Sequence, residues 1–267
     1  MGELDDKVAL VTGAGSLLGG AIAECLVDAG ARVVLADRRP GHLEEVAQPL
    51  GDAAATVVAD ITVDDDLDRI VATGVDHFGG VDHVVSGAAI FDCSMLATTR
   101  EQWRRSFDVN VVSSSLLIQK SVPHLRRRGG GAIVIIGSIS GHRSQPNRLV
   151  YPTTKSALLG LTRNLAQELA PDNIRVNHVS LGWTWSRNIE QRYGSRERAD
   201  EFAAEFQALG RMAHPHEVGD PVVYLCSDRS SFITGAALAV DGGYLALGPE
   251  ALGQPFQKVP VVAPRAD

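Results

Sequence analysis

The stretch "KVALVTGAGSLLGGAIAECL", Lys7 to Leu26, changes character partway along. It opens as a short aliphatic and β-branched run, passes through a glycine-rich turn, and continues without a break into a helical pattern. A strand that ends in glycines and feeds directly into a helix is the opening unit of a parallel α/β sheet. The rest of the chain repeats the alternation: "ARVVLAD", "ATVVAD", "VDHVVS", "GAIVIIG", "IRVNHVS" and "AALAVD" read as further strands, separated by longer helical segments. Their near-continuous hydrophobicity implies burial on both faces, and parallel strands need crossover connections that usually contain a helix. The expected architecture is one α/β domain over residues 1–247, with a mostly parallel seven-stranded sheet and helices on both faces.

Composition narrows the partners. A chain of 267 residues with 45% hydrophobic content can bury a large core within one domain. Its formal charge of -7, from 25 basic and 32 acidic residues, argues against a nucleic-acid partner, whose recognition needs a dominant basic footprint. The one basic run, Arg126 to Arg128, precedes Gly129 and reads as a helix C-terminus, where cations oppose the negative end of the dipole. Cys25, Cys93 and Cys226 fit neither a disulfide framework nor a metal spacing, so no metal is expected and a reducing compartment fits best. No apolar run approaches the roughly 18 residues that a membrane span requires, which makes a cytoplasmic location the expectation. The longest helix is predicted over about Arg100 to Arg128, opened by a capping box from Thr98 to Glu101. From Gly248 the chain loses periodicity and gains prolines, so residues 248–267 read as an extended tail.

The glycine-rich turn, "TGAGSLLGGAIAECL" from Thr12, has a chemical reading as well. Backbone N–H groups at a helix start attract anions, and glycines let a diphosphate approach the chain closely. Asp37 ends the second strand 18 residues after Gly19. An acidic residue there can accept hydrogen bonds from both ribose hydroxyls of NAD and repels the extra phosphate of NADP, so NAD is expected over NADP. Arg38 and Arg39 keep NADP in play, because either can meet that phosphate. Farther on, in "RLVYPTTKSALLGL", the phenol of Tyr151 and the amine of Lys155 stand four residues apart on one helix face. Pro152 lacks an N–H and is tolerated mainly in a first turn, which puts Tyr151 at the helix entrance, near its positive end.

With "TGAGSLLG", "YPTTK", "VNHVSLG" and "ITGAALAVDGG", the chain resembles the short-chain dehydrogenase/reductase family from about Lys7 to Leu245. The resemblance implies a doubly wound Rossmann fold and a catalytic set of Asn110, Ser138, Tyr151 and Lys155, with Ser138 lying thirteen residues before the tyrosine. It implies that Tyr151 is the general base or acid, that Lys155 lowers its pKa and holds the nicotinamide ribose, that Ser138 binds the substrate oxygen, and that Asn110 carries a water-held proton relay. A free phenol with pKa near 10 is a poor base at neutral pH, which is why a neighbouring cation is needed. The cofactor positions implied are Gly13, Gly15, Ser16, Leu17, Leu18, Gly19, Asp37, Asp60, Ile61, Ala88, Gly182, Thr184 and Ser186, together with Tyr151 and Lys155. A homotetramer or homodimer is implied too, with the helices around Arg100 to Arg128 and Tyr151 to Ala170 pairing across a two-fold axis.

The chain departs from the family pattern at Leu17, where a glycine is common, at "SGAA" (Ser86 to Ala89), and at Leu181, where a proline is common. Gly15 is expected to restore flexibility to the first loop. Substrate is expected to meet the loop after Ser138, the "IFDCS" segment after Ala89, and a lid over about residues 183–210. His142, Arg143, Gln145, Trp183 and Arg187, with Ser138 and Tyr151, form the candidate substrate set, joined by the polar Asn147. Their polarity points to a sugar or hydroxy acid. The leading expectation is therefore reversible, NAD-dependent oxidation of a secondary alcohol to a ketone on a small polyhydroxylated or acidic substrate. An NADPH-dependent carbonyl or 3-oxoacyl reductase is the alternative within the fold; a dinucleotide-binding protein without turnover is the alternative of another class.

Overall fold

Alternation along each central strand sorts its side chains into two cores, as a period of two requires. In β1 (Val8–Thr12), Leu10 joins one core while Ala9 and Val11 join the other. The computed structural model describes residues 2–91 and 94–248. Asp92 and Cys93 of the "IFDCS" segment, and the expected tail from residue 249 onward, lie outside the described residues.

Six more strands follow: β2 (Arg32–Asp37), β3 (Ala54–Val58), β4 (His83–Ser86), β5 (Gly131–Ile136), β6 (Ile174–Leu181) and β7 (Ala237–Val240). All neighbours pair in parallel, in the order β3-β2-β1-β4-β5-β6-β7. The helices are α1 (Leu17–Asp28), α2 (Pro40–Leu50), α3 (Asp64–Phe78), α4 (Arg100–Phe107), α5 (Ser113–Arg127), α6 (Val150–Leu169), α7 (Arg187–Tyr193), α8 (Arg196–Ala203) and α9 (His216–Cys226). One core packs Leu67 and Ile70 of α3, Leu117 of α5 and Leu158 of α6 against the sheet; the other packs Ile22 of α1, Leu43 of α2 and Val222 of α9. Each such side chain, fully buried, contributes about 1.5–3 kcal/mol of transfer free energy. The layered arrangement is thus the doubly wound fold expected.

Three local expectations change. The strands were expected to be buried throughout, but β7 exposes Ala237 and Leu238, and β3 is buried at Val57 only, because both are sheet edges. The helix expected over Arg100 to Arg128 is broken by a wide, π-type turn at Asp108–Val112, between α4 and α5. Its capping box belongs to Thr99 and Gln102, one residue later than expected: the Thr99 hydroxyl accepts from Gln102 N, and the Gln102 amide oxygen accepts from Thr99 N. The basic run does close α5, where Arg126 pairs with Asp172 and Arg128 with Asp82. No helix among the described residues is long and apolar enough to cross a membrane.

Strand order reverses between β1 and β4, and in an open parallel sheet the crevice beyond the strand C-termini at that point is where ligands bind.

Candidate active site

That crevice is a cavity of about 970 Å³. The turn after β1 forms its floor. Ser16 caps α1: its hydroxyl accepts from Gly19 N at 3.0 Å and donates to the carbonyl of Gly13 at 2.8 Å. Gly13 carries the left-handed backbone of the turn (φ +72°), and a Cβ there would press on Ala88 at 3.0 Å. The flexibility expected of Gly15 therefore resides in Gly13; Gly15 instead donates its N–H to Asp37. Gly13, Ser16, Leu17 and Leu18 line the cavity, while Gly19 sits behind them, where a Cβ would collide with the carbonyl of Gly13. Thr12 ties this floor to the next strand, its hydroxyl accepting from Gly87 N and Ala88 N.

At the far end stand Asp37, Asp60, Ile61, Arg38 and Arg39. Asp37 is 7% exposed and its carboxylate is already engaged, by Gly15 N at 3.2 Å, Arg39 N at 3.1 Å and the Arg39 guanidinium at 3.0 and 3.2 Å. Burial pushes its pKa up, but the hydrogen bonds and charge of Arg39 outweigh burial and hold it below the usual carboxylate value. The acid expected to wait for a ribose is thus shared with an arginine. Asp60 accepts from the N–H and hydroxyl of Thr62, an Asx turn at the strand end. Gly182, Thr184 and Ser186 line the opposite wall, with Ser186 capping α7.

The residues singled out for proton chemistry converge on the cavity's inner end. Ser138, after β5, is 8% exposed; Tyr151 and Lys155, in the first turns of α6, are 6% and 3% exposed. The Ser138 hydroxyl lies close enough to the phenol to favour its ionised form. It also donates to Ser140 Oγ at 3.1 Å, and Ser140 donates in turn to Gln145 Oε1 at 2.6 Å. Lys155 Nζ lies 5.6 Å from the Tyr151 ring centroid and donates to the carbonyl of Ile136 at 2.9 Å. Burial, opposed by the neighbouring Ser138 hydroxyl and the charge of Arg148, pushes the phenol up to about 12; burial brings Lys155 down to about 8. The expected lowering of the phenol pKa by Lys155 is therefore not met by the protein alone, since desolvation of a phenolate outweighs the nearby charges.

Asn110 occupies the wide turn before α5 and is 1% exposed. Its Oδ1 accepts from Ile90 N at 2.8 Å, and its Nδ2 donates to Ile90 O and Thr154 Oγ1. Both side-chain donors are consumed, so Asn110 clamps the segment after β4 onto α6 and its amide does not line the cavity.

The substrate set divides. Ser138, Gln145, Tyr151, Trp183 and Arg187 line the cavity. His142 and Arg143 do not: the His142 ring turns inward to Ser180 Oγ at 2.8 Å, and Arg143 is exposed and donates to the His142 carbonyl. Asn147 takes a left-handed turn (φ 59°) in solvent. Arg187 reaches across the cavity to Glu45 at 2.6 Å and to the carbonyl of Gly15 at 3.5 Å, nearer the phosphate loop than the phenol's end. Two wall residues went unrecognised in the sequence. Phe91 stacks on Tyr151 with ring centroids 4.5 Å apart, and Arg148 lies over Trp183 at 5.4 Å. Both stood in segments assigned to substrate; only the fold shows which of their neighbours they face.

The cavity fits a dinucleotide on its own observations. A glycine cradle under a helix N-terminus suits a diphosphate, an acid and two arginines suit a ribose with or without a phosphate, and the far wall brings a phenol, a hydroxyl and an amine together. Comparison with known proteins agrees. A family model described as enoyl-(acyl carrier protein) reductase matches residues 13–245. Dehydrogenase/reductase SDR family member 4 of Bos taurus is 38% identical over 247 residues, covering 91% of this chain and 88% of that protein. The Caenorhabditis elegans protein of the same name is 35% identical, covering 90% and 96%. Among solved structures, L-sorbose reductase from Gluconobacter frateurii, complexed with NADPH and L-sorbose, superposes with a TM-score of 0.87 at 30% identity, covering 93% of this chain and all of that one.

Proposed function

The chain belongs to the short-chain dehydrogenase/reductase family of NAD(P)-dependent oxidoreductases, and within it we propose that it interconverts a small polar secondary alcohol and its ketone, with NAD preferred to NADP. The observation that carries this reading is the convergence of Ser138, Tyr151 and Lys155 on one end of a cavity whose other end has the form of a dinucleotide site. A bound nicotinamide dinucleotide supplies the hydride acceptor or donor. Gly13, Ser16, Leu17 and Leu18 would hold its diphosphate, Asp37 and Ile61 its adenosine end, and Lys155, Thr184 and Ser186 its nicotinamide end.

The protein's own part is proton management. Tyr151 exchanges a proton with the substrate oxygen, while Ser138 orients that oxygen by releasing its hydrogen bond to Ser140. Because the buried phenol stays protonated at neutral pH, the resting site is charged for donation, that is, for ketone reduction. This favours the reductase direction as a second reading, and the NADPH complex of the sorbose reductase is in keeping with it.

Cofactor choice turns on Asp37. Replacing it, as Asp37→Ser, frees Arg39 and removes the charge that repels a 2'-phosphate. The NADP/NAD ratio of kcat/KM is expected to rise by about 10- to 100-fold, the scale of a gained hydrogen bond between charged groups. A panel of alcohols and ketones assayed with both dinucleotides measures this, and an unchanged ratio would remove Asp37 from cofactor selection.

A further inference from the structure

Lys155 shares the phenol's cavity with a second cation that acts on Tyr151. Arg148 lies three residues before Tyr151, is partly buried, and lines the same cavity as Tyr151, Ser138 and Trp183. Its guanidinium carbon sits 5.4 Å from the Trp183 ring centroid, within the range of a cation–π contact. Trp183 is itself fixed from the other side, edge-to-face with Phe202 at 5.0 Å and 86°. The arginine is therefore held in place by an aromatic face. That contact uses none of its N–H donors, and among the described residues no carboxylate or carbonyl accepts from them. The other cavity arginines differ in this respect or in position: Arg39 is bound to Asp37, Arg187 to Glu45 across the phosphate loop, Arg38, Arg104 and Arg105 are exposed, and Arg192, over the Tyr193 ring, is exposed as well. A planar, pre-oriented fork with free donors matches a carboxylate geometrically, where a lysine would offer only a point charge.

Resting on the dehydrogenase reading above, we propose that Arg148 is the anchor for a substrate carboxylate, and that the substrate is a compact hydroxy acid or its oxo acid rather than a neutral polyol. The carboxylate pairs with the Arg148 fork while the carbinol or carbonyl oxygen lies between Ser138 and Tyr151. Trp183 and Phe91 form the two aromatic walls beside it, and Phe91, stacked on the Tyr151 ring, limits the space for a bulky chain. The same positive charge is felt by the phenol, so loading a carboxylate onto Arg148 also neutralises a charge that favours phenolate.

The test compares matched probes, 3-hydroxybutyrate against its methyl ester and gluconate against sorbitol, in wild type, Arg148→Gln and Arg148→Lys. Dinucleotide affinity and thermal stability are checked in parallel to show that each variant is folded and cofactor-competent. Wild type is expected to prefer an acid over its neutral partner, and Arg148→Gln to lower kcat/KM for the acid by about 10- to 100-fold, the cost of removing a hydrogen bond to a charged group, and for the neutral probe by a clearly smaller factor, through loss only of a charge that favours phenolate. Arg148→Lys should restore part of the preference. An equal loss for acid and neutral probes, or none, overturns the assignment. Turnover confined to neutral probes overturns it too but leaves the dehydrogenase reading standing, whereas no turnover of any probe by wild type with either dinucleotide overturns both.

Discussion

Tyr151→Phe is expected to lower kcat by at least about 10²- to 10⁴-fold, the usual worth of a positioned general acid or base, while dinucleotide affinity stays within a few-fold of wild type. The separation follows from the geometry. The phenol stands with Ser138 at the inner end of the cavity, and the phosphate cradle and the Asp37 end lie elsewhere along it. The ring that Phe91 stacks on is retained in phenylalanine, so packing changes little. Steady-state turnover together with quenching of protein fluorescence by dinucleotide reads both quantities. Turnover that survives the substitution would show that another group moves the proton.

The opposite pattern is expected from Gly19→Ala. A Cβ at this position runs into the carbonyl of Gly13 and the Cα of Ala14, which are backbone atoms of the phosphate loop itself and cannot swing aside. The loop must shift, breaking the Ser16 cap on Gly19 N and moving the N–H groups at the start of α1. Dinucleotide affinity is expected to fall by about 100-fold, and stability by about 1–3 kcal/mol from overpacking. Equilibrium dinucleotide titration and thermal melting measure these directly. An unaltered affinity would mean that the loop does not hold the diphosphate.

What the sequence made legible, and what it did not, divides along chain distance. Tyr151, Pro152 and Lys155 were readable because helix geometry fixes neighbours four residues apart, and Ser138 because it ends a strand at a spacing the family resemblance supplied. The sheet was readable because β1, β2 and β5 are largely aliphatic and, like β4 and β6, are buried on both faces. Arg148 and Phe91 stood in plain view, yet their roles depend on Trp183 and Tyr151, partners that only tertiary structure brings near. His142 looked like a substrate ligand because it is polar and follows Ser138; the loop turns its ring to Ser180 instead, and polarity alone carries no direction. Asn110 lies before α5, but the wide turn at Asp108–Val112 spends its amide on Ile90 and Thr154, a consequence of hydrogen bonding that no spacing rule foresees. Asp37, expected to accept from ribose hydroxyls, is held by an arginine instead. Its capture by Arg39, two residues on, depends on backbone direction at the end of β2.

The most direct test of the central claim, that Tyr151 exchanges a proton with the substrate oxygen from a buried and therefore protonated phenol, is the pH dependence of kcat/KM measured in both directions. With the phenol displaced to about 12 and Lys155 to about 8, reduction needs the protonated form, which is present throughout the neutral range. Oxidation needs the deprotonated form, whose population grows tenfold per pH unit below the pKa. The predicted result is ketone reduction that is nearly flat from about pH 6 to 8 and alcohol oxidation that climbs steadily over the same interval. Oxidation that is flat or falls as pH rises, with reduction carrying the opposite slope, would contradict the assignment of Tyr151.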